Sequence, residues 1–210
     1  ISKDRSALDH VRANREVYAL VRDGVRVQVR TDDGGESPEV VRVIDWEHPE
    51  VNDFLLVSQL WLHSDLYKRR SDLVGFVNGL PLVFIELKAS HKNLRHAYDD
   101  NLTDYRATIP RVFQPNGFII LSNGIESKLG TVSSGWEHFA EWKKVTSEGE
   151  TGVVSLETML RGTCEPTRLL DLVENFAAFI ERPGGLVKMV AKNHQYLGVN
   201  NTLARLAELS

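Results

Sequence analysis

The chain has 210 residues, 25 Lys and Arg against 29 Asp and Glu, 42% apolar residues and a single cysteine, Cys164. That composition suits a folded globular domain and excludes a disulfide framework or a multi-cysteine zinc site. A net charge of −4 excludes a free-standing, strongly basic nucleic-acid binder, although local patches can still carry binding.

No apolar run approaches the roughly 20 residues that span a bilayer, and the start lacks the basic and apolar regions of a signal peptide. Neither a membrane segment nor export is expected, and the lone cysteine fits a reducing compartment, the cytoplasm. The length allows one large α/β domain, with or without a small appendage. A start at Ile1 and a stop at Ser210 inside a helix-like stretch read as a piece of a longer protein.

Residues 5–22 place Leu8, Val11, Val17, Leu20 and Val21 at helical spacing and stop at Asp23-Gly24. Val25, Val27 and Val29 then alternate with polar residues, and Asp32 to Gly35 turns the chain into Val40 to Ile44, which reads as a hairpin. Residues 53–62 are mostly apolar and fit a strand or a buried helix, with strand preferred. Asn78-Gly79 separates two apolar runs, Asp72 to Val77 and Leu80 to Lys88, and predicts a central hairpin.

From Asn93 to Ile109, Leu94, Ala97, Tyr98, Asn101, Leu102, Tyr105 and Ile109 share one helical face that Pro110 closes, giving a strand-to-helix crossover. Asn123-Gly124 predicts another hairpin, Phe118 to Ser122 with Ile125 to Leu129. Two helices follow, Trp136 to Lys144 and Arg168 to Ile180, the latter after Pro166. Pro183-Gly184-Gly185 marks the best boundary between a domain over 1–182 and a linker with a largely helical segment from Leu186 to Leu209, which Gly198 interrupts. The fold class is α/β, a mixed central sheet flanked by helices with a C-terminal helical extension.

Phosphate loops, dinucleotide glycine patterns, zinc-protease helices and nucleophile elbows are all missing. What remains is Asp72 followed by Glu86-Leu87-Lys88 at the end of an apolar run. Two carboxylates can hold a hard divalent cation through oxygen, and a nearby lysine can stabilise an attacking hydroxide and the charge that develops on phosphorus. The acid-x-Lys triplet is weak alone, since Glu126-Ser127-Lys128 and Glu141-Trp142-Lys143 repeat it. Only Glu86 has an acid on its partner strand.

Period two tests this pair. A two-residue Asn78-Gly79 loop pairs Asp72 with Ile85 and puts Asp72 and Glu86 on opposite faces. A three-residue loop, or a compensating bulge, brings Asp72, Glu86 and Lys88 to one face, and one of these is predicted. The competing reading is that these residues end two strands in solvent. Asn101 and Tyr105 should face the sheet, where Asn101 either joins the site or ties helix to sheet. Residues 61–112 carry eight Lys and Arg, among them Arg70 and Lys92, against six acids, a local excess that suits a polyanion or plain solvated surface. His63, His91 and His96 lack metal-ligand spacing, and Cys164 reads as a packing residue.

The stretch Arg70-Ser71-Asp72-Leu73-Val74-Gly75-Phe76-Val77-Asn78-Gly79-Leu80-Pro81-Leu82-Val83-Phe84-Ile85-Glu86-Leu87-Lys88, with Asn52-Asp53-Phe54 and Gln59 before it, resembles the N-terminal nuclease domain of the restriction and translocation (R) subunit of type I restriction-modification enzymes. That domain is a member of the PD-(D/E)XK nuclease superfamily. The likeness runs from about Asn14 to Trp142 and includes Asn123-Gly124 and Gly130-Thr131. It implies a restriction-endonuclease-like core and Mg²⁺, or Mn²⁺ as substitute, at Asp72 and Glu86 with the Leu87 backbone carbonyl nearby. Lys88 would be the catalytic lysine.

The family's Q-x-x-x-Y motif for DNA contact and cleavage falls on Asn101 and Tyr105, where Asn keeps the amide and shortens its reach by one methylene. Arg70 and Lys92 are further candidates for DNA contact, and Glu16 is the candidate for the family's upstream acid. His194-Gln195-Tyr196 resembles the entry to a helicase-like motor, where such a glutamine contacts the adenine of ATP. No Walker A follows, so ATP belongs to the full-length protein.

The function implied is Mg²⁺-dependent cleavage of double-stranded DNA in defence against foreign DNA, with methyltransferase and specificity subunits as partners. The alternative is a catalytically silent DNA-binding or docking module of the same complex.

Overall fold

Helix α1 (His10–Asp23) begins where the Asp9 carboxylate accepts the Arg12 amide at 2.8 Å, and it ends at Gly24 with φ 84°. The computed structural model describes residues 9–32 and 34–209; the expected helical start at residues 5–8, Leu8 included, and Asp33 in the first turn lie outside them. β1 (Val25–Arg30) and β2 (Glu36–Val41) form the expected hairpin. β2 stops short of Ile44, which is buried in the core, while the Asn52 side chain ties the next loop to the backbone of Asp45.

Residues 53–62 are extended, as preferred, but in two pieces, β3 (Phe54–Ser58) and β4 (Trp61–His63). Gln59 between them takes a left-handed φ of 55° and turns the chain out of the sheet. β4 pairs instead with β5 (Lys68–Arg70), a ribbon with no apolar alternation to predict it.

β6 (Leu73–Val77) and β7 (Leu80–Leu87) are joined by a two-residue turn in which Asn78 (φ 48°) and Gly79 (φ 78°) are both left-handed. The pairing steps from Phe76↔Pro81 to Gly75↔Val83, leaving Leu82 unmatched. This is the compensating bulge, and the longer loop is not used.

The crossover is helical as expected, with more variety than one α-helix. A π-helical turn (Ala97–Leu102) leads into α2 (Thr103–Thr108) and a 3₁₀ turn (Pro110–Phe113). β8 (Phe118–Ser122) then runs parallel to β7, and β9 (Ser127–Gly130) returns antiparallel. Asn123 Oδ1 accepts the amides of Ile125 and Glu126 to close that loop.

Three predicted helical segments are corrected. Trp136 to Lys144 is a short 3₁₀ turn (Trp136–His138) followed by β10 (Ala140–Glu141), which pairs with β9. Phe139 and Trp142 bury on opposite sides of the sheet, an alternation that a helix does not give. After α3 (Leu156–Thr163), where Gly162 leaves no room for a Cβ against the Trp142 ring, comes α4 (Pro166–Asn175), which ends before Ile180. Ala177 to Arg182 is β11, paired with β12 (Gly185–Val190) around Pro183-Gly184, and α5 (Asn193–Ala207) starts only after it. Gly198 sits inside α5 without breaking it.

The central sheet has six strands in the order β10-β9-β8-β7-β6-β3, mixed in direction. One face packs Val77, Leu82, Val83, Ile85, Phe118 and Ile120 against Val17 and Tyr18 of α1, Leu170 and Val173 of α4 and Tyr196 of α5. The other packs Val74, Phe84, Ile119 and Leu121 against Leu94, Leu102, Tyr105 and Ile109 of the crossover. Burial on both faces explains why β7 and β8 read as unbroken apolar runs. The layering is that of a restriction-endonuclease-like core, as expected. Among the described residues no helix is long and apolar enough to cross a membrane.

β12 contributes a lysine to the interior. Lys188 is 1% exposed, donates from Nζ to the Asn116 carbonyl at 2.6 Å, and lies against the rings of Tyr18 and Phe179. Burial pushes its pKa down to about 7 from 10.5. The unfolded chain therefore binds more protons between those values, so this group's stabilisation is full above pH 10.5 and is lost as pH falls through about 7. Lys188→Met is expected to be more stable than the parent near pH 7, with the difference shrinking as pH rises toward 10. Urea unfolding of both proteins along that range checks it, and a constant difference would contradict it.

Candidate active site

The bulge at Leu82 decides the geometry. With Leu73 opposite Ile85 and Val74 opposite Phe84, Asp72 stands opposite Glu86. Beyond the bulge, the even-numbered residues of β7 face the crossover side together with the even-numbered residues of β6, where Val74 and Phe84 pack with Tyr105. Asp72, Glu86 and Lys88 thus share one face, at the ends of two neighbouring strands beneath the π-helical turn and α2.

Glu86 is 2% exposed, and its Oε2 is buried with no hydrogen-bond partner. Oε1 accepts from Lys88 Nζ at 3.3 Å. Burial, and then the neighbouring charge of Asp72, push the Glu86 pKa up to about 7, against the opposing pull of Lys88. Asp72 is held from both sides: Oδ2 accepts the Leu87 amide at 2.8 Å and Oδ1 accepts Gln59 Nε2 at 3.3 Å. Lys88 donates most closely to Asn101 Oδ1, at 2.6 Å, and its amide bonds the Ser122 carbonyl on the parallel strand. Tyr105 donates its hydroxyl to the Arg70 carbonyl at 3.1 Å. Its pKa is pushed up to about 12, first by burial and then by the charge of Glu86.

Asp72, Glu86, Lys88, Asn101 and Tyr105, singled out in the sequence, therefore meet. Arg70 lies two residues from Asp72 with its side chain over the Trp61 ring. Lys92 is exposed, and its carbonyl accepts from Asn123 Nδ2 beyond the end of β7. Leu87 touches Asp72 through its amide. Glu16 sits on α1, which packs on the opposite face of the sheet. Gln195 is on α5, far along the chain, where its Oε1 accepts the Lys192 amide and caps the helix. Cys164 packs at the edge of the core with its thiol pKa pushed up to about 11 by burial. Gln59 was given no role by sequence reasoning; its left-handed backbone, which swings the amide toward Asp72, has no sequence signal in a non-glycine residue.

Among the described residues no group of three or more His, Cys, Asp and Glu converges. A cation here would rest on two carboxylates, with backbone oxygen and water completing its shell. The unpartnered Oε2 of Glu86 fits such a ligand, since a buried carboxylate oxygen otherwise lacks compensation. The clefts of about 420 and 470 Å³ elsewhere on the surface do not include the pair.

Comparison with known proteins gives a consistent picture. Residues 1–138 match the family described as type I restriction enzyme R protein N terminus. The chain is 38% identical over 205 residues to the type I restriction enzyme HindI endonuclease subunit of Haemophilus influenzae, covering 93% of the chain and 19% of that protein. It is 26% identical over 211 residues to the putative MjaIXP endonuclease subunit of Methanocaldococcus jannaschii, covering 90% and 20%. A Staphylococcus saprophyticus subunit, SsaAORF53P, is 30% identical over 113 residues, covering 54% and 12%. The chain spans about a fifth of the length of the first two of these relatives.

Proposed function

The chain belongs to the type I restriction enzyme R protein N-terminal family, and from that premise we propose that it is the nuclease domain of an R subunit, hydrolysing phosphodiester bonds of double-stranded DNA with Mg²⁺ held at Asp72 and Glu86. The observation that carries this reading is the buried, half-satisfied Glu86 opposite Asp72, with Lys88 on the same face. Those two carboxylates and the Leu87 carbonyl are the groups to hold the cation. The bound cation would supply positive charge to acidify the attacking water and to neutralise the phosphate under attack.

The chain's own residues do the rest. The Leu87 amide and Gln59 orient Asp72 so that it does not have to reorganise when DNA arrives. Lys88, steered by Asn101 and Glu86, places an ammonium beside the carboxylates, where it offsets charge on a phosphate oxygen or supplies a proton to the departing oxygen. Tyr105 braces the Arg70 backbone and with Asn101 forms the roof of the site, while the side chains of Arg70 and Lys92 face the DNA.

In the longer protein, α5 and Gln195 would lead into an ATP-driven motor, and methyltransferase and specificity subunits would complete a cytoplasmic complex that defends against foreign DNA. A silent docking or DNA-binding module is the second reading, favoured by a donor set that holds, among the described residues, two carboxylates and no third acidic, His or Cys ligand. Mg²⁺-dependent nicking of supercoiled plasmid by the assembled complex discriminates. Asp72→Ala is expected to abolish nicking while Glu126→Ala leaves it unchanged. Nicking that survives Asp72→Ala would overturn the assignment.

A further inference from the structure

The β4–β5 ribbon leaves and rejoins the chain at the carboxylate pair: Gln59, two residues before Trp61, donates to Asp72, and Asp72 follows Arg70 by two. Trp61 pairs with Arg70 and His63 with Lys68, so these four side chains share one face of the ribbon, and Leu62 and Arg69 share the other.

The inner face is anchored. Leu62 packs against the crossover core, and Arg69 makes a two-pronged ion pair with Asp104 of α2 at 2.5 and 2.9 Å. The outer face is open. Trp61 is 52% exposed, with Lys68 Nζ 4.5 Å and the Arg70 guanidinium 5.6 Å from its ring centroid. Among the described residues neither Lys68 nor Arg70 has an acidic partner, whereas the adjacent Arg69 does. Two cations gathered on one indole without a counter-charge form a surface suited to an external polyanion. The ring also restricts two long side chains in advance, so less rotamer freedom is lost when they engage a ligand.

Building on the nuclease reading, we propose that the outer face of the β4–β5 ribbon is a grip for duplex DNA. Lys68 and Arg70 seat backbone phosphates beside the bond to be cut, and Trp61 orders the two cations. The contact is to the backbone and is indifferent to base sequence.

The test is fluorescence anisotropy of a labelled DNA duplex of arbitrary sequence with the full chain in EDTA, so that no strand is cut. The double variant Lys68→Gln/Arg70→Gln is expected to bind about tenfold more weakly at low salt. Its plot of log affinity against log salt should be shallower by about 2, the loss of two phosphate contacts. Trp61→Ala, which keeps both charges, is expected to weaken binding by roughly threefold at nearly the same slope. Arg26→Gln/Arg30→Gln, which removes two exposed cations on β1, should change neither. Unaltered affinity and slope in the Lys68/Arg70 variant, an equal loss in the β1 variant, or no binding by the parent would each overturn the grip. Mn²⁺ titration of the same proteins keeps the two ideas apart: metal bound with DNA affinity unmoved rejects the ribbon alone, and no metal bound by the parent rejects the nuclease reading.

Discussion

Glu86→Gln is expected to make the metal-free chain more stable at pH 8 while removing divalent-metal binding and DNA cleavage. The parent buries a carboxyl that is 2% exposed, with one oxygen unpartnered and Lys88 3.3 Å from the other. Its pKa of about 7 lies above the ordinary 4.5, so the unfolded chain releases this proton first as pH rises. The protonated form's contribution is full below pH 4.5 and is lost as pH rises through about 7. At pH 8 the cost of burying the charge approaches about 3 kcal/mol, from 1.36 kcal/mol per pKa unit, as an upper limit. The amide carries no charge and escapes that cost, although its NH₂ group still needs a partner, so a net gain of about 1–2 kcal/mol is the realistic expectation. Thermal unfolding in EDTA at about pH 4 and pH 8 reads it: the variant should gain on the parent only at the higher pH. A variant less stable than the parent at pH 8 would show that Glu86 holds the fold together.

Lys88→Gln is expected to cut the cleavage rate on the order of 10²- to 10³-fold, the usual loss for one preorganised group stabilising developing charge, while metal binding persists. Lys88 and a cation draw on the same carboxylate, since its Nζ donates to Glu86 Oε1. Removing the ammonium therefore frees Glu86, and metal affinity should hold or rise. Asn101 Oδ1, at 2.6 Å, fixes where the ammonium sits, so Asn101→Ala should lower turnover through Lys88 while leaving metal affinity unmoved. Rates of plasmid nicking by the assembled complex, set beside calorimetric metal affinities, separate these effects. Parallel loss of metal and rate in Lys88→Gln would contradict the division of roles.

Much of this site was legible because its parts are local. Asn78-Gly79 announces its turn, the apolar runs on both sides announce buried strands, and parity then demands an extra residue if Asp72 and Glu86 are to meet. Parity could not say where: a longer loop and a bulge satisfy it equally. The chain uses the bulge because Leu82 and Val83 both have core to fill on the α1 side. Asn101 and Tyr105 were placed correctly by helical spacing, although the π-helical turn under Asn101 has no such signature.

What sequence reading missed depends on tertiary contacts. Ala177 to Arg182 looked like the continuation of α4, and only pairing with β12 and the packing of Phe179 on Tyr18 make it a strand. Phe139 and Trp142, three residues apart, imitate a helix while serving two faces of a sheet. The β4–β5 ribbon is pinned by Arg69 to Asp104, thirty-five residues away, a link that no local pattern contains.

The central claim is that Asp72 and Glu86 form a divalent-metal site, and calorimetric titration of Mn²⁺ into the chain tests it most directly, alongside Asp72→Ala, Glu86→Ala and Glu126→Ala. Binding by the parent and by Glu126→Ala, lost in both Asp72→Ala and Glu86→Ala, is the predicted result. Undiminished binding in Asp72→Ala and Glu86→Ala, or none in the parent, would contradict it.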